Sequence, residues 1–411
     1  MVEEVALENL DESFERLLAA AAASEASNNT PRKHHLVPRS YLKRWEENSK
    51  LRATEINGGS SFLTSAAKAA RETDFYRLES ADPVELPPML FETILSNVEG
   101  AAVPAIDRLI QHVGLFDELQ IKLEISDFLT MQLIRGRHYR GDVQEMRAKT
   151  WALYFKELGA EGIEKLLEKR YGPGLVPDSE IEKAHRLIEA SAKGEFQVRQ
   201  HKTEVMRTGL IAAQEFMGLL FWRNWVVVAT PNCLVTCDEP LVLIGGPGMS
   251  RGRLPGIAEA AVIIFPLCPN MLLAMVRHDL PYEYFHHPLS SIDIIDINTE
   301  ILANAYKWGF ERPSKMMTQR LHIPAKPLET VVFEEAPYPD AQSGRKLITS
   351  THRTSWASIP GAPWPVERWW RWSEGGVVDS ARARQATFEA AAKGREFSKW
   401  LAETALDNTD A

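Results

Sequence analysis

The apolar positions of this chain follow two patterns. Up to about residue 220 they recur at steps of three and four; beyond it they run in short β-branched blocks cut by turn residues. Within residues 2–23, Leu7, Leu10, Phe14, Leu17 and Leu18 keep helical spacing before an alanine run, and SEASNNTPRK then reads as a linker. Residues 1–30 are thus expected to be an amphipathic leader helix with its linker. The helix would serve a partner or self-association, or be a loosely attached arm. Ser40 to Asn48 predicts one short helix turning Tyr41, Leu42 and Trp45 inward. Further helices are predicted over 64–77, 84–111, 115–141, 142–171 and 178–219. Residues 115–141 are apolar enough to predict a largely buried helix, yet Gln132, Arg135 and His138 lie in it at spacings that share a face.

The block WVVVATPNCLVTCDEPLVLIGG predicts two or three strands. AAVIIFPLCPNMLLAMVR predicts two more, paired across the Pro-Leu-Cys-Pro break, and residues 291–310 return to helix. Helices, then strands, then a helix predict an α+β fold, mainly helical, with a small antiparallel sheet inserted in the second half. The expected core domain is 31–330. Residues 331–411 follow as a tail packed on that core, with five of the eleven tryptophans in SWASIPGAPWPVERWWRW and a last helix near 378–406.

Charge narrows the partners. A formal net charge of −9 excludes a globally basic surface of the kind that coats nucleic acid. It does not exclude a local groove. Residues 31–52 hold seven Lys/Arg against two Glu, and Arg135, Arg137 and Arg140 form a second basic cluster. If the two clusters meet, they form a basic cleft for a phosphate-containing ligand or nucleic acid. Three cysteines are too few for a disulfide framework and fit a reducing compartment. Cys233 and Cys237 have no Cys/His pair nearby to complete a zinc site. The acidic start is wrong for a secretory signal, and no run of 18 apolar residues predicts a membrane span, so the expected location is the cytoplasm.

The candidate chemistry begins in KHHLVPRSYLKRW, Lys33 to Trp45. Adjacent histidines on an extended segment point to opposite sides. Histidine transfers protons near neutral pH and binds metals. His34, His35 and Asp238 form the candidate catalytic set. Arg39, Tyr41, Gln132 and Arg135 are the candidate substrate-binding residues, and His35, Glu92 and Asp238 a candidate set for a divalent metal. An arginine in so apolar a helix needs a partner: Glu92, Glu99, Asp238 or a bound anion. Asp238, in a turn before a proline, caps its own backbone, holds a metal or orients a histidine. Together these residues suit a hydrolase of a phosphorylated substrate, such as a nuclease. The histidine pair before proline looks like the start of the His-Asn-His nuclease motif, but no further histidine follows until His112. The alternative is a non-catalytic binding or interaction protein in which the same residues form a structural polar network. Gly248 to Gly252 fits the pattern G-x-S-x-G but lacks the helix that should follow, and there is no P-loop, H-E-x-x-H or strand-borne G-x-G-x-x-G.

Four motifs, in this order, resemble the bacterial family catalogued as domain of unknown function 4238. They are KHHLVPRSYLKRW, MQLIRGRHYR, LVTCDEPLVL, and the FPLCP turn followed by DINTEILANAYKWGF. The resemblance covers roughly residues 31–312. Cys237 stands where a serine is usual. The resemblance implies one assembly of these motifs and no particular activity.

Overall fold

The computed structural model describes residues 16–24, 33–73, 75, 87–192, 202–246, 249–278, 289–328, 330–337, 346–359, 361 and 364. In chain order these form β1 (Lys33–His35), α1 (Arg39–Leu42) with a 3-10 turn (Lys43–Trp45), β2 (Leu51–Glu55), β3 (Ser61–Thr64), β4 (Arg71–Thr73), α2 (Leu90–Leu109), β5 (Gly114–Phe116), α3 (Leu119–Ile134), α4 (Arg137–Tyr171), α5 (Asp178–Ala192) and α6 (Lys202–Phe221). Then come β6 (Asn224–Ala229), β7 (Thr236–Cys237), β8 (Val242–Ile244), β9 (Arg253–Leu254), β10 (Val262–Cys268), β11 (Met271–Val276), α7 (Ser291–Asn304), β12 (Trp308–Glu311), β13 (Val331–Pro337) and β14 (Lys346–Arg353).

A five-stranded antiparallel sheet, ordered β5-β6-β11-β10-β8, is the middle layer. The pleat sends successive side chains to opposite faces, and here both faces are buried. Trp225, Ile263, Phe265 and Leu273 join a core with Tyr41, Trp45, Ile106 and Phe128. Val226, Val262, Ile264 and Leu272 join a second core with Ile294, Ile297 and Ile301 of α7. Burial on both faces is why these strands read as unbroken apolar blocks. The predicted turn closes the β10–β11 hairpin, with Cys268 opposite Met271.

A third core is helical. Residues 16–24 are helical, and Leu17, Leu18 and Ala21 pack with Leu90, Phe91, Leu95, Met131 and Met206. That part of the leader is seated on the chain's own helices. The rest of the leader and the helix expected near 378–406 lie outside the described residues. Within the tail, β14 pairs with β9 and Trp364 is buried in the second core. Among the described residues no helix is long and apolar enough to cross a membrane.

The fold is α+β, but the expectation of a mainly helical chain with one small sheet in the second half is overturned. Among the described residues there are four antiparallel sheets, two-, five-, four- and three-stranded, and β1–β5 all lie in the first third of the chain. Those five strands are three to five residues long, too short for an alternating pattern to declare itself. The segment 64–77 reads as a helix because SAAKAARE is rich in helix formers. Pairing overrides that propensity: β4 joins β1 residue for residue, from Lys33 opposite Thr73 to His35 opposite Arg71. The predicted helix 115–141 is also broken. Gly136 adopts ψ 148° and separates α3 from α4, so Arg135 and His138 do not share one helical face. Likewise the helix predicted over 291–310 ends at Asn304, and β12 leaves it to pair with β2.

Candidate functional site

The first motif is mostly interior. His34 is 1% exposed, and its Nδ1 lies 3.1 Å from Glu92 Oε2 of α2. His35 faces the other way and is half-buried; burial and the Arg71 charge hold it below the ordinary histidine value. The Tyr41 hydroxyl donates to Pro266 O at 2.6 Å and lies 2.8 Å from Thr236 Oγ1. Burial raises its pKa well above the usual range. Trp45 Nε1 donates to Leu234 O at 3.1 Å. These contacts lock the segment onto β10 of the middle sheet, onto β7 and onto the stretch before it. Arg39 is exposed.

Arg135 is 2% exposed and fully engaged. Its Nη1 donates to Glu99 Oε1 at 2.7 Å, and its Nε to Gln132 Oε1 at 3.1 Å. Gln132 in turn donates to Leu36 O at 3.1 Å. Glu99 is therefore the partner that the charge requires. The network joins α2 and α3 to the stretch behind β1.

Asp238 is 3% exposed, and its carboxylate accepts the backbone N–H groups of Tyr306 (2.8 Å), Lys307 (2.8 Å) and Trp308 (3.0 Å). It fastens the entry into β12. Burial, with the neighbouring Glu239 charge, pushes its pKa up to about 6 against the pull of those amides. Cys237 beside it is sealed in the second core, and burial holds its thiol well above the usual range. Among the described residues no three His, Cys, Asp or Glu side chains converge as a metal centre needs. His35, Glu92 and Asp238 are thus not brought together as one.

Glu239 looks the other way from Asp238. Its Oε1 accepts the His138 N–H at 2.9 Å, capping the start of α4, and its Oε2 lies 2.8 Å from His138 Nδ1. Lys326 Nζ contacts His138 Nε2 and donates to Ala305 O at 2.7 Å. Gly136 permits the approach: a Cβ there would fall 3.0 Å from Glu239 Oε2 and 3.1 Å from Leu133 O. Glu239 and Lys326 were not legible as site residues. The one signal was a second acid beside Asp238 in CDEP.

Two cavities flank this turn. The larger, about 480 Å³, lies against the four-stranded sheet β3-β2-β12-β7 and the β1–β4 pair. Lys68, Arg71, Arg137 and Lys307 line it, against Glu72 and Asp238. Phe62, Tyr306 and Trp308 supply ring surface. The Arg137 guanidinium pairs with Glu72 and sits 4.9 Å over the Tyr306 ring. Phe62 and Trp308 meet edge to face at 5.5 Å. Lys307 Nζ lies 5.1 Å over the Trp308 ring and 3.3 Å from Glu55 Oε1. Of the predicted basic cluster Arg135, Arg137 and Arg140, only Arg137 reaches the cleft lining, and Arg39 does not. Lys68 and Arg71 come from the stretch that reads as a helix. The smaller cavity, about 80 Å³, lies on the Glu239 side and is bounded by His138, Lys326, Asp142, Glu300 and His352.

Searches of curated proteins and of solved structures return no match to this chain. The family model described as "Protein of unknown function (DUF4238)" matches residues 33–315, which include all four motifs, the Arg135 network and every residue lining the larger cleft, and the chain belongs to that family.

Proposed function

We propose that the protein binds a phosphorylated ligand carrying a flat ring, of about mononucleotide size, in the larger cleft. The observation that carries this reading is the sharing of one cavity by four cations and four aromatic rings, Phe310 joining Phe62, Tyr306 and Trp308. Its volume of about 480 Å³ falls within the roughly 300–1,000 Å³ of small-molecule sites. Lys68 and Arg71 are exposed there. Phe62 and Tyr306 are 47% and 44% exposed; the Tyr306 ring already carries the Arg137 guanidinium, so Phe62 is the exposed ring left to stack on a ligand. The guanidinium fork matches phosphate oxygens two at a time. Of the two carboxylates, Glu72 is engaged by Arg137 and Asp238 by backbone amides, so neither stands ready to repel an anion.

This favours binding over hydrolysis. His34 is turned into the interior against Glu92, and the Asp238 oxygens are filled by backbone donors. Both are better used to hold the walls of the cleft than to act on its contents.

The test is a titration with adenosine monophosphate, adenosine and inorganic phosphate, followed by tryptophan fluorescence and calorimetry. The nucleotide should bind at least tenfold more tightly than either part. A charge-assisted hydrogen bond contributes about 1.5–3 kcal/mol, so Arg71→Ala should weaken nucleotide binding by about tenfold or more. Phe62→Ala should weaken adenosine and nucleotide alike. Equal affinity for all three probes, or binding indifferent to both substitutions, would refute the reading.

A further inference from the structure

The smaller cavity carries features that binding in the cleft leaves unused. It encloses about 80 Å³. A water needs roughly 10–15 Å³ on the same measure, so the space suits a molecule of about five to eight heavy atoms. Ser355 and Trp364 line it. Both are buried, at 2% and 3% exposure, and among the described residues Ser355 Oγ and Trp364 Nε1 have no hydrogen-bond partner. Buried donors are nearly always satisfied. An acceptor brought by a ligand would complete them.

The third feature is Lys326. Its Nζ is held by Ala305 O at 2.7 Å and rests against His138 Nε2. Glu239 Oε2, 2.8 Å from His138 Nδ1, fixes the proton on that nitrogen and leaves Nε2 as the acceptor. An amine against the acceptor nitrogen of a carboxylate-backed imidazole can hand over a proton within the site, because the imidazolium stays paired with Glu239. Burial works in the same direction. It lowers the lysine below its ordinary range, although Glu239 and Asp238 oppose the shift. Arg353, exposed at the cavity edge, supplies a cation nearby, and His352, 3.2 Å from Asp142, lines the cavity.

We propose that this cavity captures a small carbonyl compound bearing a carboxylate, a 2-oxo acid of pyruvate or glyoxylate size, as an imine on Lys326. The Lys326 ammonium first passes a proton to His138 Nε2. The freed nitrogen pair attacks the carbonyl carbon, the C–N bond forms, and the carbonyl π pair moves to oxygen. That oxygen takes the proton from His138. A second proton leaves the nitrogen through the same ring and departs with the hydroxyl as water, while the nitrogen pair closes a protonated C=N bond. Ammonium and carbonyl become iminium and water, so atoms and charge balance without oxidant or reductant. Ser355 Oγ and Trp364 Nε1 supply donors for the carboxylate. The inference is independent of nucleotide binding in the cleft.

The experiment is borohydride trapping. The full-length protein is incubated with glyoxylate or pyruvate, reduced, and read by intact mass and peptide mapping. One reduced adduct at Lys326 is expected, absent from Lys326→Arg. Ser355→Ala, a small change that adds no volume, should melt as the wild type and trap several-fold more slowly. Wild-type protein without a Lys326 adduct, or with adducts spread over surface lysines at the same yield in Lys326→Arg, overturns the proposal. Because the first of these readings uses only the wild type, a poorly folding variant does not blunt the test.

Discussion

Arg135 and Arg137 are two residues apart and face different worlds. Arg135, the last residue before the Gly136 break, is 2% exposed and gives its donors to Glu99 and Gln132. Arg137, the first residue of α4, stacks on Tyr306, pairs with Glu72 and lines an open cleft. On the facing turn Asp238 and Glu239 are both engaged, the first by backbone amides and the second by His138. The lesson is one of occupancy. A polar group filled on all sides by protein donors and acceptors holds the fold, and one whose partners leave a side open keeps donors or acceptors free for other contacts.

The contrast is most severely tested at Arg135. Removing one member of a buried pair strands the other and costs about 3–5 kcal/mol, an upper bound here because the Glu99 side chain is 28% exposed. Arg135→Ala should lower the unfolding free energy by up to that amount in urea titrations. A variant as stable as the wild type would move Arg135 to the ligand-facing class and dissolve the distinction.

Glu300 sharpens the same point through pH. It is 3% exposed and pairs with Arg251, yet burial pushes its pKa up to about 7. A folded-state value above the unfolded one of about 4.3 means that the native state holds an extra proton between the two. The resulting stabilisation is full below about pH 4 and is lost as pH rises through 7, a change on the order of 3 kcal/mol. Between pH 5 and 8 the wild type should therefore lose stability from this group. Glu300→Gln should flatten that part of the curve, read from urea midpoints at each pH. An unchanged slope would show that Arg251 keeps the carboxylate ionised throughout.

The interior was partly legible and the cleft hardly at all. The long periodic segments declared themselves: a helix expected over 84–111 is found at Leu90–Leu109. The β10–β11 hairpin did too, because strands buried on both faces are apolar throughout. Arg135 was recognisable as needing a partner, and Glu99 was among the candidates. The cleft is assembled from short strands whose partners are distant, as β2 pairs with β12. Its cations Lys68 and Arg71 sit in an alanine-rich stretch that mimics a helix. Asp238 was singled out, but its three partners are backbone amides, which carry no side-chain signature. His138, Glu239 and Lys326 come from three separate segments with no shared local pattern.

Tyr41 belongs to the occupied class, so Tyr41→Phe should cost stability without touching the cleft. The hydroxyl bonds Pro266 O and Thr236. Its loss leaves a buried carbonyl with one partner fewer, worth about 1–2 kcal/mol. Nucleotide affinity should stay within twofold of the wild type when both are measured well below the unfolding midpoint. A tenfold loss of affinity would tie Tyr41 to the ligand.

Arg71 is the opposite limit, and it carries the smallest expected effect on stability. Its side chain is exposed, and its bond to Ala67 O, at 3.1 Å, closes only a local turn. Surface substitutions outside special features usually change stability by less than about 0.5 kcal/mol, and Arg71→Ala should do the same. Its effect should appear in the salt dependence of nucleotide binding. The wild type should weaken as salt shortens the reach of the rim charges, and the variant should weaken less because one of those charges is gone. If Arg71→Ala instead unfolded the protein while leaving the salt dependence intact, the cation would be bracing β4 against β1. The occupied interior would then extend to the rim of the cleft.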